Sequence, residues 1–277
     1  MDKDTKDIFT VIITTAVILS VCIGGLFIYS GLSSPITVVE SSSMQHSQDT
    51  SYIGIIDTGD MVVMRDPSKT TVTTYIDGSV LGYSKFGEYG DVIIYYRGET
   101  ANPVIHRAFL WLEYNADGSW SASSLEQYTG NWTVEGHGAN KWENMTGILS
   151  FTGLGFDGSS YASVDLDTLT VNYPHSGWLT KGDNNAYFDQ AVGISLDGLI
   201  TEETLKAVAG IEIPWLGCIK LYVTHNSQSI AMIPANSIPC LFVAIVDLIV
   251  FFIVLMMTLD FFFMFLDEQR RKKKEGA

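Results

Sequence analysis

With 277 residues the chain has room for one large domain or two small ones, and 31 Asp and Glu against 16 Lys and Arg give it a net charge of −15. That acidic excess argues against a nucleic-acid binder, which needs a basic patch, and it bears on solubility and partners rather than on fold. The three cysteines exclude a disulfide framework, because Cys22 and Cys240 fall in apolar segments and leave Cys218 alone between them.

Met1–Asp7 is mixed in charge, and from Ile8 to Leu32 no residue is charged. At about 1.5 Å per helical residue this run crosses a hydrocarbon core of ~30 Å with length to spare. Cleaved signal peptides have apolar centres of only ~7–15 residues, so residues 8–32 read as a retained transmembrane anchor. A second span runs from Ile238 to Leu266 and is followed by the basic cluster Arg270 to Lys274. The side richer in Lys and Arg stays cytoplasmic. The chain is therefore expected in the cell membrane as a two-span protein, with both termini (1–7 and 267–277) inside and residues 33–237 outside. Asp260 lies near enough to the inner end to reach the interface. Asp247 lies deeper, where a carboxylate is costly, and is expected to be protonated or to face a partner subunit.

The outward segment is predicted to be mainly β. A strand over Pro35–Glu40 is followed by runs rich in Val, Ile and Tyr at Val62–Met64, Thr71–Ile76, Val92–Tyr96, Val104–Leu112, Ser163–Val171 and Cys218–Val223. Two of these begin alike, Gly59-Asp60 and Gly90-Asp91 each turning the chain into a buried strand. Residues 112–173 read as an inserted β-rich excursion with hairpin signals at Asp117-Gly118 and Asp157-Gly158, its bulky aromatics requiring burial. It carries two glycosylation-type sequons, at Asn131 and Asn144. The one clear helix outside the spans is expected at Glu202–Ala209, capped by Thr201 and stopped by Gly210.

Three stretches could carry chemistry. Ser41-Ser42-Ser43-Met44 follows the first strand and presents hydroxyls, which are weak nucleophiles without a base. Of the five histidines, His46, His137, His175 and His225 sit in polar, loop-like surroundings and read as surface or locally bonded imidazoles. Their spacing fits no metal site. His106 instead stands in a strand, beside Arg107 and after a turn at Asn102-Pro103. Lys181 to Asp189 brings two carboxylates across a Gly/Asn-rich turn. Asp183, between Gly182 and Asn184, is placed to bond the turn's own amides, whereas Asp189 lies past the turn, where the chain re-enters with a fixed direction.

In this order the stretches resemble signal peptidase I of the archaeal and endoplasmic-reticulum type. The family's Ser-Gly-Ser-Met-x-Pro block is matched by Ser41–His46, its Gly-Asp-hydrophobic block by Gly59–Met64, and Val-Ile-His-Arg by Val104–Arg107. Lys-Gly-Asp-Asn-Asn with a later Asp is matched by Lys181–Asp189, and Ile-Pro-aromatic-x-Gly by Ile213–Gly217. Ser42 stands in place of the family's glycine and His46 in place of its proline, and nothing in the resemblance covers the insertion.

The resemblance implies a signal-peptidase-like β-barrel catalytic domain and a membrane-bound serine endopeptidase that cleaves signal peptides from exported precursors. It implies Ser43 as nucleophile, His106 as base and Asp189 as its orienting carboxylate, with Asp183 and Ser41 in support and no cofactor or metal. The oxyanion would be met by the Ser43 amide and the Ser41 hydroxyl. Precursor proteins and membrane lipid are the expected partners, with a further membrane subunit at the Asp247 face. About eleven residues separate Leu32 from Ser43, at most ~35–40 Å when extended, so the nucleophile would lie near the membrane surface. Two other readings are a non-enzymatic receptor or adhesion module and a membrane serine protease acting on other precursors.

Overall fold

In the computed structural model, which describes residues 3–98 and 103–275, α1 (Lys3–Ser30) leads to β1 (Ile36–Val38) and a single 3-10 turn at Ser42–Met44. Then come β2 (Met61–Arg65), α2 (Tyr75–Leu81), the short hairpin β3 (Ser84–Lys85) and β4 (Glu88–Tyr89), β5 (Val92–Tyr95) and β6 (Val104–Tyr114). The insertion supplies β7 (Trp120–Ser121), β8 (Asn131–Gly136), β9 (Thr146–Leu154), β10 (Ser160–Asp165) and α3 (Leu166–Asn172). The chain closes with β11 (Gly177–Lys181), β12 (Leu205–Ile213), α4 (Gly217–Val223), α5 (Ser227–Ile230) and α6 (Ser237–Glu275). The expected turn residue Asn102 and the extreme ends, Met1, Asp2, Gly276 and Ala277, lie outside the described residues.

Two compact units result, one from Met1–Leu26 with Ile238–Ala277 and one from Phe27–Ser237. The first is helical and contains two stretches long and apolar enough to cross a membrane, Ile12–Ser30 and Ser237–Leu266. Within it Thr15 Oγ1 donates to Met256 Sδ at 3.6 Å.

The second unit is mainly β. Its larger sheet runs β1-β2-β12-β5-β6-β11, with β7 paired to β6, and every pairing is antiparallel. The expected barrel is not closed. β1 is three residues long before the chain leaves for the Ser42–Met44 turn, and the far side of β11 is bridged through Trp178 to Ile200. Among the described residues nothing pairs β1 with β11. The two Gly-Asp turns do feed strands of this sheet, β2 and β5, which flank β12 on either side.

Four local expectations are overturned in whole or in part, each for a visible reason. The helix at Glu202–Ala209 shrinks to a turn in which Thr201 and Thr204 bond each other. From Leu205 the chain is a strand, because pairing on both sides by β2 and β5 outweighs helix propensity. Thr71–Ile76 is not a strand: the Thr74 hydroxyl accepts from the Asp77 amide and Gly82 ends the helix at φ 69, so residues 75–81 coil as α2. Cys218–Val223 is helical too. Buried Cys218 and Leu221 lie three apart while Ile219, Tyr222 and Val223 are exposed, a spacing that suits a helix face and not alternation. In the 163–171 run, β10 stops at Asp165, whose carboxylate accepts from the Asp167 and Thr168 amides and starts α3.

The insertion forms its own antiparallel sheet, ordered β10-β9-β8. The hairpin glycines Gly118 and Gly158 have φ of 87° and 65°, as such turns require. Its aromatics Trp120 and Phe151 are fully buried, and Phe151 of β9 meets Phe109 of β6 at 5.0 Å, while Phe109 meets Phe188 at 4.9 Å, between ring centroids. The residue after Phe188 is Asp189, so this core fixes the chain at one of the predicted site residues.

Candidate active site

β6 is the strand on which the site is built. Side chains alternate across a strand, so His106 and Arg107 leave it on opposite faces, and both are buried. His106 Nδ1 lies 2.7 Å from Asp189 Oδ2. Asp189 is fully buried and held from two sides, its amide donating to the Thr180 carbonyl at 2.9 Å and its Oδ2 accepting from the Tyr95 hydroxyl at 2.7 Å. Burial and the nearby carboxylate push the Tyr95 hydroxyl far above its ordinary pKa, so it remains a donor. With Nδ1 committed to the carboxylate, the other ring nitrogen is the one free to face a reacting group.

That nitrogen points toward the nucleophile turn. Gly182 separates them so narrowly that a Cβ there would stand 2.6 Å from the Ser43 carbonyl oxygen and 2.9 Å from His106 Nε2. Ser41, Ser43, His106 and Asn185 line one cleft of about 540 Å³, whose apolar wall comes from Val38, Ile94, Val104 and Ile105. Ser43 Oγ shares a hydrogen bond with Ser41 Oγ at 3.2 Å. No hydrogen bond joins Ser43 Oγ to His106 among the described residues, a looseness common in such pairs before substrate arrives.

The turn itself is anchored from below and from the side. Met44 and Gln45 are buried, and Gln45 Oε1 accepts from the Thr58 amide and hydroxyl. Asn184 donates from its amide to the Ser43 carbonyl at 2.8 Å and from Nδ2 to the Ser42 carbonyl at 3.0 Å. The turn at Gly182–Asn185 therefore holds the serine turn directly.

Asp183 differs from expectation. Its carboxylate does not bond the amides of its own turn but takes both forks of Arg107, Nε to Oδ1 at 2.7 Å and Nη2 to Oδ2 at 2.6 Å. Burial alone would raise its pKa, but the Arg107 charge and hydrogen bonds, joined by His46, hold it down at about 2. Arg107 also donates to the carbonyls of Lys85, Tyr89 and Gly90, pinning the β3–β4 hairpin. His46 is likewise not a surface imidazole: its side chain is 9% exposed, with Nε2 3.2 Å from Asp183 Oδ2. It is drawn in because Asp183, committed to Arg107, has lone pairs to spare. His137 Nδ1 lies 2.9 Å from the neighbouring Gly138 carbonyl. His175 lies beside the Ser176 and Asp197 carbonyls and His225 beside the Val223 carbonyl, as their loop settings predict.

Sequence reasoning thus missed Tyr95, Asn184, His46 and the Arg107–Asp183 pair as parts of the site. A tyrosine ending the otherwise apolar run Val92–Tyr95, and an arginine in a buried strand, each demand a polar partner, and that demand was the available signal. No family model matches the chain, and no curated protein matches it.

Proposed function

We propose that the chain is a membrane-anchored serine endopeptidase that removes signal peptides from exported precursors. The observation that carries this reading is the His106–Asp189 pair at 2.7 Å opening, with Ser43, onto one cleft. In that mechanism the Ser43 hydroxyl turns from Ser41 toward His106 Nε2, gives up its proton and attacks the scissile carbonyl. Asp189 stabilises the imidazolium, which then returns the proton to the leaving amine. The Ser43 amide, with the Ser41 hydroxyl freed by that turn, would meet the oxyanion, one such donor being typically worth about 3–4 kcal/mol.

The cleft supports a peptide substrate. β1 pairs only with β2 among the described residues, so the outer edge of Ile36–Val38, two of whose residues line the cleft, is open to an extended backbone. The resemblance to signal peptidases supports small residues one and three positions before the scissile bond. The two apolar helices suit an enzyme whose substrates emerge from a membrane, and the basic C-terminal tail supports cytoplasmic termini.

The test is digestion of an exported precursor by the detergent-solubilised chain, with mapping of the cut. Wild type is expected to cut after a small residue, and Ser43→Ala and His106→Ala to lose turnover while keeping the wild-type melting temperature. Activity in either variant would remove the mechanism, and a cut after a large or charged residue would remove the substrate assignment. An inert wild type would favour a binding module.

A further inference from the structure

We infer that His46 is a positioning residue through which the inserted β-sheet holds the nucleophile turn in place. The inference rests on the protease reading of the same cleft, but its geometry stands independently. The His46 ring is closed in on three sides. Phe156, at the tip of the β9–β10 hairpin, stacks on it with ring centroids 4.2 Å apart and planes 15° from parallel. Gly87 backs it so closely that a Cβ there would come within 2.7 Å of His46 Cε1. Asp183 Oδ2 lies 3.2 Å from Nε2, completing the clamp.

What the clamp fixes is the register of two turns. Asp183 is locked by the Arg107 fork, so its position is set by the larger sheet. The next residue, Asn184, bonds the Ser42 and Ser43 carbonyls. His46, three residues beyond Ser43, bonds Asp183. The serine turn is thus tied to the Gly182–Asn185 turn before and after the nucleophile, and His46 is the later tie. That tie depends on Phe156, which keeps water and alternative rotamers away from one face of the imidazole. Phe156 is itself 43% exposed, and the ring contact it makes among the described residues is the stack on His46. The insertion also packs Phe151 against Phe188, the residue before Asp189. Its sheet therefore reaches the site at both carboxylates.

Other features carry less. The buried carboxylates Asp57 and Asp60 with the neighbouring Glu212 are not an assembled metal site, and the exposed apolar residues of α4 have nothing in the structure to say what covers them.

The experiment uses the full chain in detergent and reads two quantities: hydrogen exchange at the Asn184 amide, which reports the bond to the Ser43 carbonyl, and turnover of a precursor with a small-residue cleavage site. Phe156→Ala and His46→Ala are each expected to speed exchange and to lower kcat by about 10-fold with KM unchanged, the scale of losing an outer-shell support. Because both act through one contact, the double variant is expected to be no slower than His46→Ala alone. Phe156→Tyr, which keeps the stack, is expected to restore wild-type exchange and turnover. Unchanged exchange in the alanine variants overturns the inference, as does faster exchange with wild-type kcat, or effects that multiply. Faster exchange in a chain whose wild type cuts no precursor sustains the clamp and sinks the protease reading instead.

Discussion

Asp183 and Asp189 are carboxylates six residues apart on one loop, yet their surroundings give them opposite sensitivities. Asp189 has hydrogen-bonding neighbours, Tyr95 and His106, but no cation fork. Asp189→Asn is expected to keep the fold, hold the imidazole in the wrong tautomer and lower kcat by roughly 10³–10⁴-fold, as loss of a triad carboxylate does. Precursor turnover beside a melting curve checks this, and near-normal turnover would remove Asp189 as the orienter. Asp183 is committed to Arg107, whose side chain is 2% exposed. Asp183→Asn removes the carboxylate paired with that buried guanidinium, leaving it only the charges of Glu88 and Asp91, neither of which is ion-paired to it among the described residues, and breaking such a pair costs about 3–5 kcal/mol. The expected signature is a melting temperature lowered by roughly 6–20 °C, with the remaining folded protein slower by about 10–100-fold because the Asn184 contacts to the serine turn loosen. Should Asp183→Asn melt with wild type, the ion pair is not what positions the loop.

At the scale of elements, the loop between β11 and Asp189 works because it has no side chain where two backbones and an imidazole meet. Gly182→Ala would drive a methyl to 2.6 Å from the Ser43 carbonyl and 2.9 Å from His106 Nε2. Neither the carbonyl, which accepts from the Asn184 amide, nor the imidazole, bonded to Asp189, yields cheaply, so the variant is expected to fold with turnover reduced by at least ~100-fold, the loss a misplacement of about 1 Å can cause. Gly158→Ala, in the hairpin tip but with open space around its Cβ, meets only the backbone strain of its φ of 65°. The strands carrying these groups were legible because Val62–Met64, Val92–Tyr95 and Val104–Leu112 are apolar and β-branched and follow Gly-Asp or proline turns. Of the site residues only His106 stands in one of these strands; Ser43 and Asp189 were singled out by the order of the motifs around them and their resemblance to signal peptidase I, each stretch alone being ambiguous. What was not legible depended on tertiary pairing. Leu205–Ile213 became a strand only because β2 and β5 stand on either side of it. The contact of His46 with Phe156 spans more than a hundred residues and needs the inserted sheet folded against the larger one. The open sheet edge at β1 was hidden for the same reason, since barrel closure is a property of the pairing path and not of any one strand.

For the molecule as a whole, the two apolar helices and the basic tail make a topological prediction. Protease added outside sealed vesicles is expected to reach the 112–173 insertion and to spare the basic tail Arg270–Lys274; a protected insertion would invert the arrangement. The second whole-molecule property is the dependence of stability on pH, and it is set by carboxylates away from the catalytic cleft. Burial raises Asp57 to about 6, both of its carboxylate oxygens being buried without a hydrogen-bond partner among the described residues. Burial likewise raises Asp60 to about 7 against the Trp215 and Asp57 amides, and Glu212 to about 8, with the Asp60 charge adding to the rise. In the unfolded chain these groups titrate near pH 4. Between about pH 4 and 8 the native state therefore binds more protons than the unfolded state, and stability falls as pH rises through that window. Asp183, held at about 2, acts the other way but only below about pH 4, where protonating it removes the partner of Arg107. The two windows hardly overlap, so the stability maximum belongs near pH 4–5, on the acid side of neutrality. Melting temperatures of the full chain are expected to drop by at least ~10 °C between pH 5 and pH 8.5. Asp60→Asn, which keeps the acceptor for the Trp215 amide and removes one raised titration, is expected to flatten that slope. A melting temperature constant or rising over this range in the wild type would show that the three carboxylates titrate normally and that their burial carries no energetic penalty.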